Sequence, residues 1–207
     1  MKQETLQILN DLVRRYPVLN SCRGSILDAA TTIINAFKNG KKLLICGNGG
    51  SASDSAHIVG ELLKNFKIKR KLPENLKENL GNDEIFEGLE KGYPVIDLTA
   101  NTAFMTAYMN DHNPDFVFAQ QVNVYGESAD VLLLISTSGN SKNCLYAAEV
   151  ARAKLVTTIS LTGKYGGELA NRSYITIKAP ETETYKVQEL HLPIYHCLCA
   201  MIEMELE

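Results

Sequence analysis

Apolar residues recur at helical spacing over residues 3–20 and again over 24–39, the second run closing at Asn39-Gly40. Two helices are predicted there, ahead of any strand. Beyond them the period changes. KLLIC (42–46), PVIDL (94–98), VLLLIS (131–136), VTTISL (156–161) and YITIK (174–178) are short apolar runs rich in β-branched residues, the pattern of strands buried on both faces. Helical patterns occupy 51–66, 101–109, 115–126 and 141–153 between them. Strand and helix in alternation predict an α/β fold with a five-stranded parallel sheet and right-handed crossovers.

Two segments stand outside that rhythm. KIKRKLPENLKENLGNDEIFEGLEKG (67–92) is polar and carries Pro73, Gly81, Gly88 and Gly92. It reads as a surface excursion with room for a short helix around 74–80, and its KIKRK run as a solvated face. The final helix, 184–205, is apolar on two sides: Val187, Leu190, Ile194, Leu198 and Met201 make one stripe, Tyr195, Cys199 and Ile202 another. A helix of one layered domain has a wet face, so the second stripe points to a neighbouring subunit.

A length of 207 residues, with 45% hydrophobic and 22% charged residues, suits a single domain spanning 1–207. Residues 1–40 then serve packing and oligomerisation. The net charge of -3 lacks the basic footprint of a nucleic-acid or anionic-membrane binder. The N-terminus reads as an amphipathic helix, not a signal segment, and no run nears the length of a membrane span, so a cytoplasmic location is expected. Five cysteines without a CxxC pair suit free thiols in a reducing compartment.

Two loops carry the candidate chemistry. In CGNGGSASDSAH (46–57) a strand enters a glycine turn and a helix. Gly47, Gly49 and Ala52 fit G-x-G-x-x-A, but the acidic residue of a dinucleotide site should follow about 20 residues on. Here the next strand ends at Asp97. The G-x-x-x-x-G-K-[ST] spacing is also missing, so no nucleotide cofactor is expected. A tight turn without a ligand would explain the glycines alone; a helix N-terminus open to an anionic or hydroxyl-rich ligand explains them as well. In STSGNS (136–141), Ser136, Thr137, Ser138 and Ser141 put four hydroxyls before a helix, more than capping needs. Such a cup suits the phosphate of a small sugar phosphate.

CGNGGS together with STSGNS on such a sheet resembles the sugar isomerase (SIS) domain family, and within it the phosphoheptose isomerases. The resemblance spans nearly the whole chain. It implies a flavodoxin-like three-layer sandwich and an aldose-ketose isomerase converting sedoheptulose 7-phosphate to D-glycero-D-manno-heptose 7-phosphate. It also implies roles for particular residues. His57, Glu61, Gln188 and His196 would hold a labile zinc ion, with Glu61 as base and His196 as acid. Asn48, Gly49, Gly50, Ser51, Glu61, Asn110, Asp111, Ser136, Thr137, Ser138, Ser141 and Gln188 would meet the substrate. A homotetramer with active sites between subunits follows from the same resemblance.

The residues themselves support part of this. His57 and Glu61, four apart, share a helix face. Gln188 and His196 are eight apart, about 12 Å along a helix axis, which strains two ligands from one helix onto one ion. A bend at Pro193 and a contribution from a second subunit would relieve the strain. His191 is either a support for the site or a buried structural histidine, and His112 has a loop position without a role. Two features depart from the family: Tyr185 stands where an acidic residue is common, and the 67–92 excursion is long. Two rival readings stand beside it: a non-catalytic phosphosugar-binding regulator, which would have no use for an acid and base pair, and an isomerase of another, shorter sugar phosphate, which would differ only in the depth of the pocket.

Overall fold

A computed structural model describes residues 1–207. Helix α1 (Gln3–Arg15) ends before Pro17, which cannot donate to a continuing helix; Pro17–Cys22 forms a 3-10 turn. The first helix is therefore shorter than the apolar pattern implied. Helix α2 (Arg23–Lys38) follows, then β1 (Leu43–Gly47) and α3 (Gly50–Leu63). The excursion folds two short helices, α4 (Glu74–Leu80) and an unforeseen α5 (Asp83–Gly88), capped by the Asn82 side chain. Next come β2 (Val95–Asp97), α6 (Thr102–Asp111), a 3-10 turn at Pro114–Phe116, α7 (Val117–Tyr125), β3 (Val131–Ser136) and α8 (Lys142–Ala153). The chain closes with β4 (Thr157–Thr162), α9 (Leu169–Arg172), β5 (Ile175–Lys178) and α10 (Thr184–Leu206).

All five strands pair in parallel, in the order β2-β1-β3-β4-β5. The sheet is buried on both faces because its apolar residues alternate between two cores. Leu43, Ile45, Leu133 and Ile135 face the layer of α1, α2, α3 and α10, while Leu44, Cys46, Leu132 and Leu134 face α7 and α8. The chain leaves β1 toward β2 and later returns to β3 on the other side. The loops after β1 and β3 thus diverge at a switch of strand order, where α/β sheets open a crevice at their carboxyl ends.

Helix α10 explains its own two stripes. It packs on α1, α2 and α3 of the same chain, and Tyr195, Cys199 and Ile202 are buried among them. The second stripe therefore does not mark a neighbouring subunit; the N-terminal helices supply the extra cover.

The KIKRK run is also corrected. Lys67, Lys69 and Lys71 are exposed, but Arg70 is 3% exposed and its Nε lies 2.9 Å from Glu203 Oε1 on α10. Glu203 also accepts from the backbone N–H groups of Phe66 (2.9 Å), Lys67 (2.7 Å) and Ile68 (3.0 Å). Arg70 donates to the carbonyls of Glu61, Leu62 and Lys64 at the end of α3, and to Lys91 O (2.9 Å). A fully paired guanidinium caps the helix where unsatisfied carbonyls would otherwise be buried.

Candidate active site

Gly49 adopts φ +57°, a left-handed conformation that favours glycine, and caps α3. Gly50 is tight for a different reason: a Cβ there would meet the amide end of the Gln188 side chain from α10, which would have to move aside. Asn48, exposed above this turn, forms a reciprocal amide pair with Asn143 of α8, at 2.9 and 2.8 Å. The pair ties the glycine loop to the serine loop. In the latter, Ser136 Oγ lies 3.0 Å from Ser141 Oγ, and Ser138 Oγ accepts from Asn140 N–H (3.1 Å). Gly139 (φ +67°) sits so close to Gly166 that a side chain has no room. Loop 163–169 backs the cup: Gly163 N–H donates to Thr137 O and Leu169 N–H to Gly139 O, each at 2.9 Å.

Helices α3 and α10 run side by side. Their paired residues begin with Gly50 against Gln188, and seven residues further on His57 meets Tyr195. There His57 Nε2 is 3.1 Å from Glu61 Oε1 and 3.5 Å from His196 Nε2, and ligand atoms of the three residues lie within 4.8 Å of one another. The Phe66 ring flanks His196 with centroids 5.6 Å apart. Two imidazole nitrogens and a carboxylate oxygen converging this closely form a donor set suited to a divalent cation.

Charge is tuned within the cluster. Burial would raise the Glu61 carboxyl, but the Lys64 ammonium at 3.0 Å and then His57 outweigh it and hold it below its ordinary value. Burial, followed by the neighbouring His57, lowers His196. At neutral pH Glu61 is a carboxylate and His196 a neutral imidazole, so each offers a lone pair.

Family models for the SIS domain match residues 12–88 and 116–201. The chain is 37% identical over 185 residues to the phosphoheptose isomerase of Rhodospirillum rubrum, covering 89% of this chain and 88% of that protein. It is 40% identical over 174 residues to that of Clostridium acetobutylicum, covering 84% and 79%. The chain belongs to the phosphoheptose isomerase family. Within that family, the solved phosphoheptose isomerase of Francisella tularensis superposes with a TM-score of 0.79 at 31% identity, covering 98% of this chain and 94% of that one. Family membership and the five-stranded parallel sheet agree with the sequence expectations.

Of the residues the family resemblance singles out, His57, Glu61 and His196 gather within one chain and need no partner to meet. Gln188 lies against Gly50 instead, about 10 Å along the helices from that cluster. Gly49, Gly50 and Ser51 form the first turn of α3, where Ser51 is buried. Ser136, Thr137, Ser138 and Ser141 line one loop. Asn110 and Asp111 fall at the end of α6, which runs past the expected 109; both are exposed and bonded to each other at 2.9 Å. His191 is fully buried, with Nε2 3.3 Å from Thr162 O, and burial lowers its pKa to about 4. It is the structural histidine of the two options. His112 caps the end of α6, exposed.

Sequence reasoning missed three residues. Asn143 had no motif to mark it beyond its place in the first turn of α8. Tyr195 was absorbed into an apolar stripe, yet its hydroxyl lies 2.9 Å from His57 Nδ1. Asp54, one helical turn before His57, faces the same hydroxyl without reaching hydrogen-bond geometry, and its buried Oδ2 has no other partner. Burial raises Asp54 to about 6, and burial followed by Asp54 raises the Tyr195 phenol.

Proposed function

We propose that the chain isomerises sedoheptulose 7-phosphate to D-glycero-D-manno-heptose 7-phosphate. The observation that carries this reading is the convergence of Glu61 with His196, a carboxylate and a neutral imidazole from opposite ends of the chain. Moving a proton between C1 and C2 through an enediol needs one group to take it and another to serve the oxygens. Glu61, ionised, takes the C1 proton, and His196 exchanges protons with the sugar oxygens. Ser136, Thr137, Ser138 and Ser141 hold the phosphate at the N-terminus of α8, where free N–H groups favour an anion. Asn48, Gly49, Gly50, Ser51, Asn110, Asp111 and Gln188 contact the sugar.

His57, Glu61 and His196 suit a zinc ion by their donor types and convergence. When bound, zinc would supply Lewis-acid polarisation of the sugar carbonyl. A labile ion reconciles Glu61 as ligand with Glu61 as base. Gln188 is assigned to the same ion, and its position on Gly50 in one chain favours a homotetramer whose sites are completed between subunits. Five buried free cysteines fit a cytoplasmic protein, and no helix is long and apolar enough to cross a membrane.

Incubation with sedoheptulose 7-phosphate, with and without a chelator, tests the reading in wild type, Glu61→Gln and His196→Ala. Turnover in wild type and its loss in both variants is expected. Retained turnover in the variants overturns the assigned roles, and tight binding without turnover in wild type favours a phosphosugar-responsive regulator.

A further inference from the structure

Helices α3 and α10 must stay level for Glu61 and His196 to meet, and their first two contacts resist sliding poorly. Gly50 against Gln188 and His57 against Tyr195 keep one offset of 138 residues. The first contact is a flexible amide resting on a glycine, and the second a single hydrogen bond of modest strength. Continued at that offset, Glu203 stands level with Asn65, past the end of α3 at Leu63. Arg70 folds back to fill that level.

The side chains of Arg70 and Glu203 are at most 1% exposed. Glu203 gathers the N–H groups of Phe66, Lys67 and Ile68 around its carboxylate, and Arg70 Nε at 2.9 Å completes the set. The same guanidinium grips the end of α3 through the carbonyls of Glu61, Leu62 and Lys64. It also lies over the Tyr93 ring, 4.4 Å from the centroid, which fixes its plane. One planar group thus joins the turn that carries Glu61 to the helix that carries His196. A slide of either helix would strand a desolvated charge, so the pair admits one placement. The carboxylate has a second effect through the main chain it captures. It seats the Phe66 ring against the His196 imidazole, 5.6 Å between centroids, while the His57 ring stands 4.9 Å from the same imidazole.

We propose that Arg70 and Glu203 are positioning residues for the cluster of His57, Glu61 and His196: their pair sets the level of α10 against α3 and, through Phe66, the placement of the His196 ring. Neither side chain reaches the cluster; both act through the elements they join. The consequence for turnover rests on the isomerase reading above, but the structural test does not.

Nuclear Overhauser effects between the ring protons of His57 and His196, recorded on metal-free protein, read the meeting of the two helices directly. Arg70→Lys keeps a charge beside Glu203 but has no planar fork to span the carbonyls of α3. Phe66→Leu keeps the pair and removes the ring. Val122→Ala, in the core on the other face of the sheet, is a destabilised control away from the site. The contact should be strong in wild type and Val122→Ala and weakened in Arg70→Lys and Phe66→Leu, with zinc affinity by calorimetry about 10- to 100-fold lower in those two. Their kcat should fall by a similar factor, since a misplacement of about 1 Å costs about 10²-fold, while KM stays unchanged because the phosphate cup is untouched. A wild-type contact and zinc affinity in folded Arg70→Lys overturns the proposal, as does an equal loss in Val122→Ala. Should Arg70→Lys not fold, the same readings in Phe66→Leu decide. A wild type that shows the contact and its response in the variants, yet neither binds zinc nor turns over the heptose phosphate, leaves the proposal standing and removes the functional reading instead.

Discussion

The serine cup and the histidine cluster hold comparable numbers of polar groups but are made in opposite ways. The cup draws six consecutive residues, 136–141, from one strand-to-helix loop and is backed by main-chain bonds from loop 163–169. The cluster brings together His57 and His196, 139 positions apart, and depends on two long helices keeping a common register. A loop of the first kind can be retained while its ligand changes. A cluster of the second kind survives only if everything that aligns α3 with α10 survives with it.

Separating the two regions by mutation is the sharpest way to challenge that contrast. Glu61→Gln should reduce turnover by about 10²- to 10⁴-fold while leaving phosphosugar affinity, measured by calorimetry, within a few-fold of wild type. Equal loss of binding would mean that the cup and cluster are not separable. Glu203→Gln leaves Arg70 without its charge partner in a site where both side chains are at most 1% exposed. A cost of about 3–5 kcal/mol in urea unfolding is expected. The cluster should suffer first, because Arg70 also caps α3 at Glu61.

A smaller effect tests the contact of α10 with the sheet. His191 titrates at about 4 when folded, against an ordinary value of 6.5. Between those values the unfolded chain binds the proton and the folded one does not, so stability falls as pH drops through that window. About 2 kcal/mol should be lost from pH 7 to pH 5, and His191→Gln should flatten that slope in thermal melts at the two pH values. The smallest change concerns the link between the loops. Asn143→Ala removes both hydrogen bonds to Asn48 and should raise KM about five-fold, near 1 kcal/mol, with kcat unaltered. A change in kcat alone would place Asn48 nearer the reacting carbons than the cup model has it.

The same contrast governs how much could be read without coordinates. The strands were legible because their apolar runs exceed anything a solvated element tolerates, and the cup because its hydroxyls are contiguous. His57 and Glu61 were legible as a pair because helical spacing alone puts them on one face. Their meeting with His196 depends on the register of α3 against α10, which periodicity does not encode, so only family resemblance suggested it. Tyr195 was misread because an aromatic ring in a buried stripe looks apolar until its hydroxyl is located. Arg70 was misread because a basic residue among lysines is ordinarily solvated, and its partner Glu203 lies 133 residues away.

One guanidinium holds both feet of the 67–92 excursion: Arg70 belongs to its first strand of chain and donates to Lys91 O at its last. Whatever lies between those two points hangs from a closed clasp. Material there can be lengthened, trimmed or exchanged with little mechanical effect on the helices below, which makes α4 and α5 the natural place for this chain to differ from its relatives while keeping its chemistry.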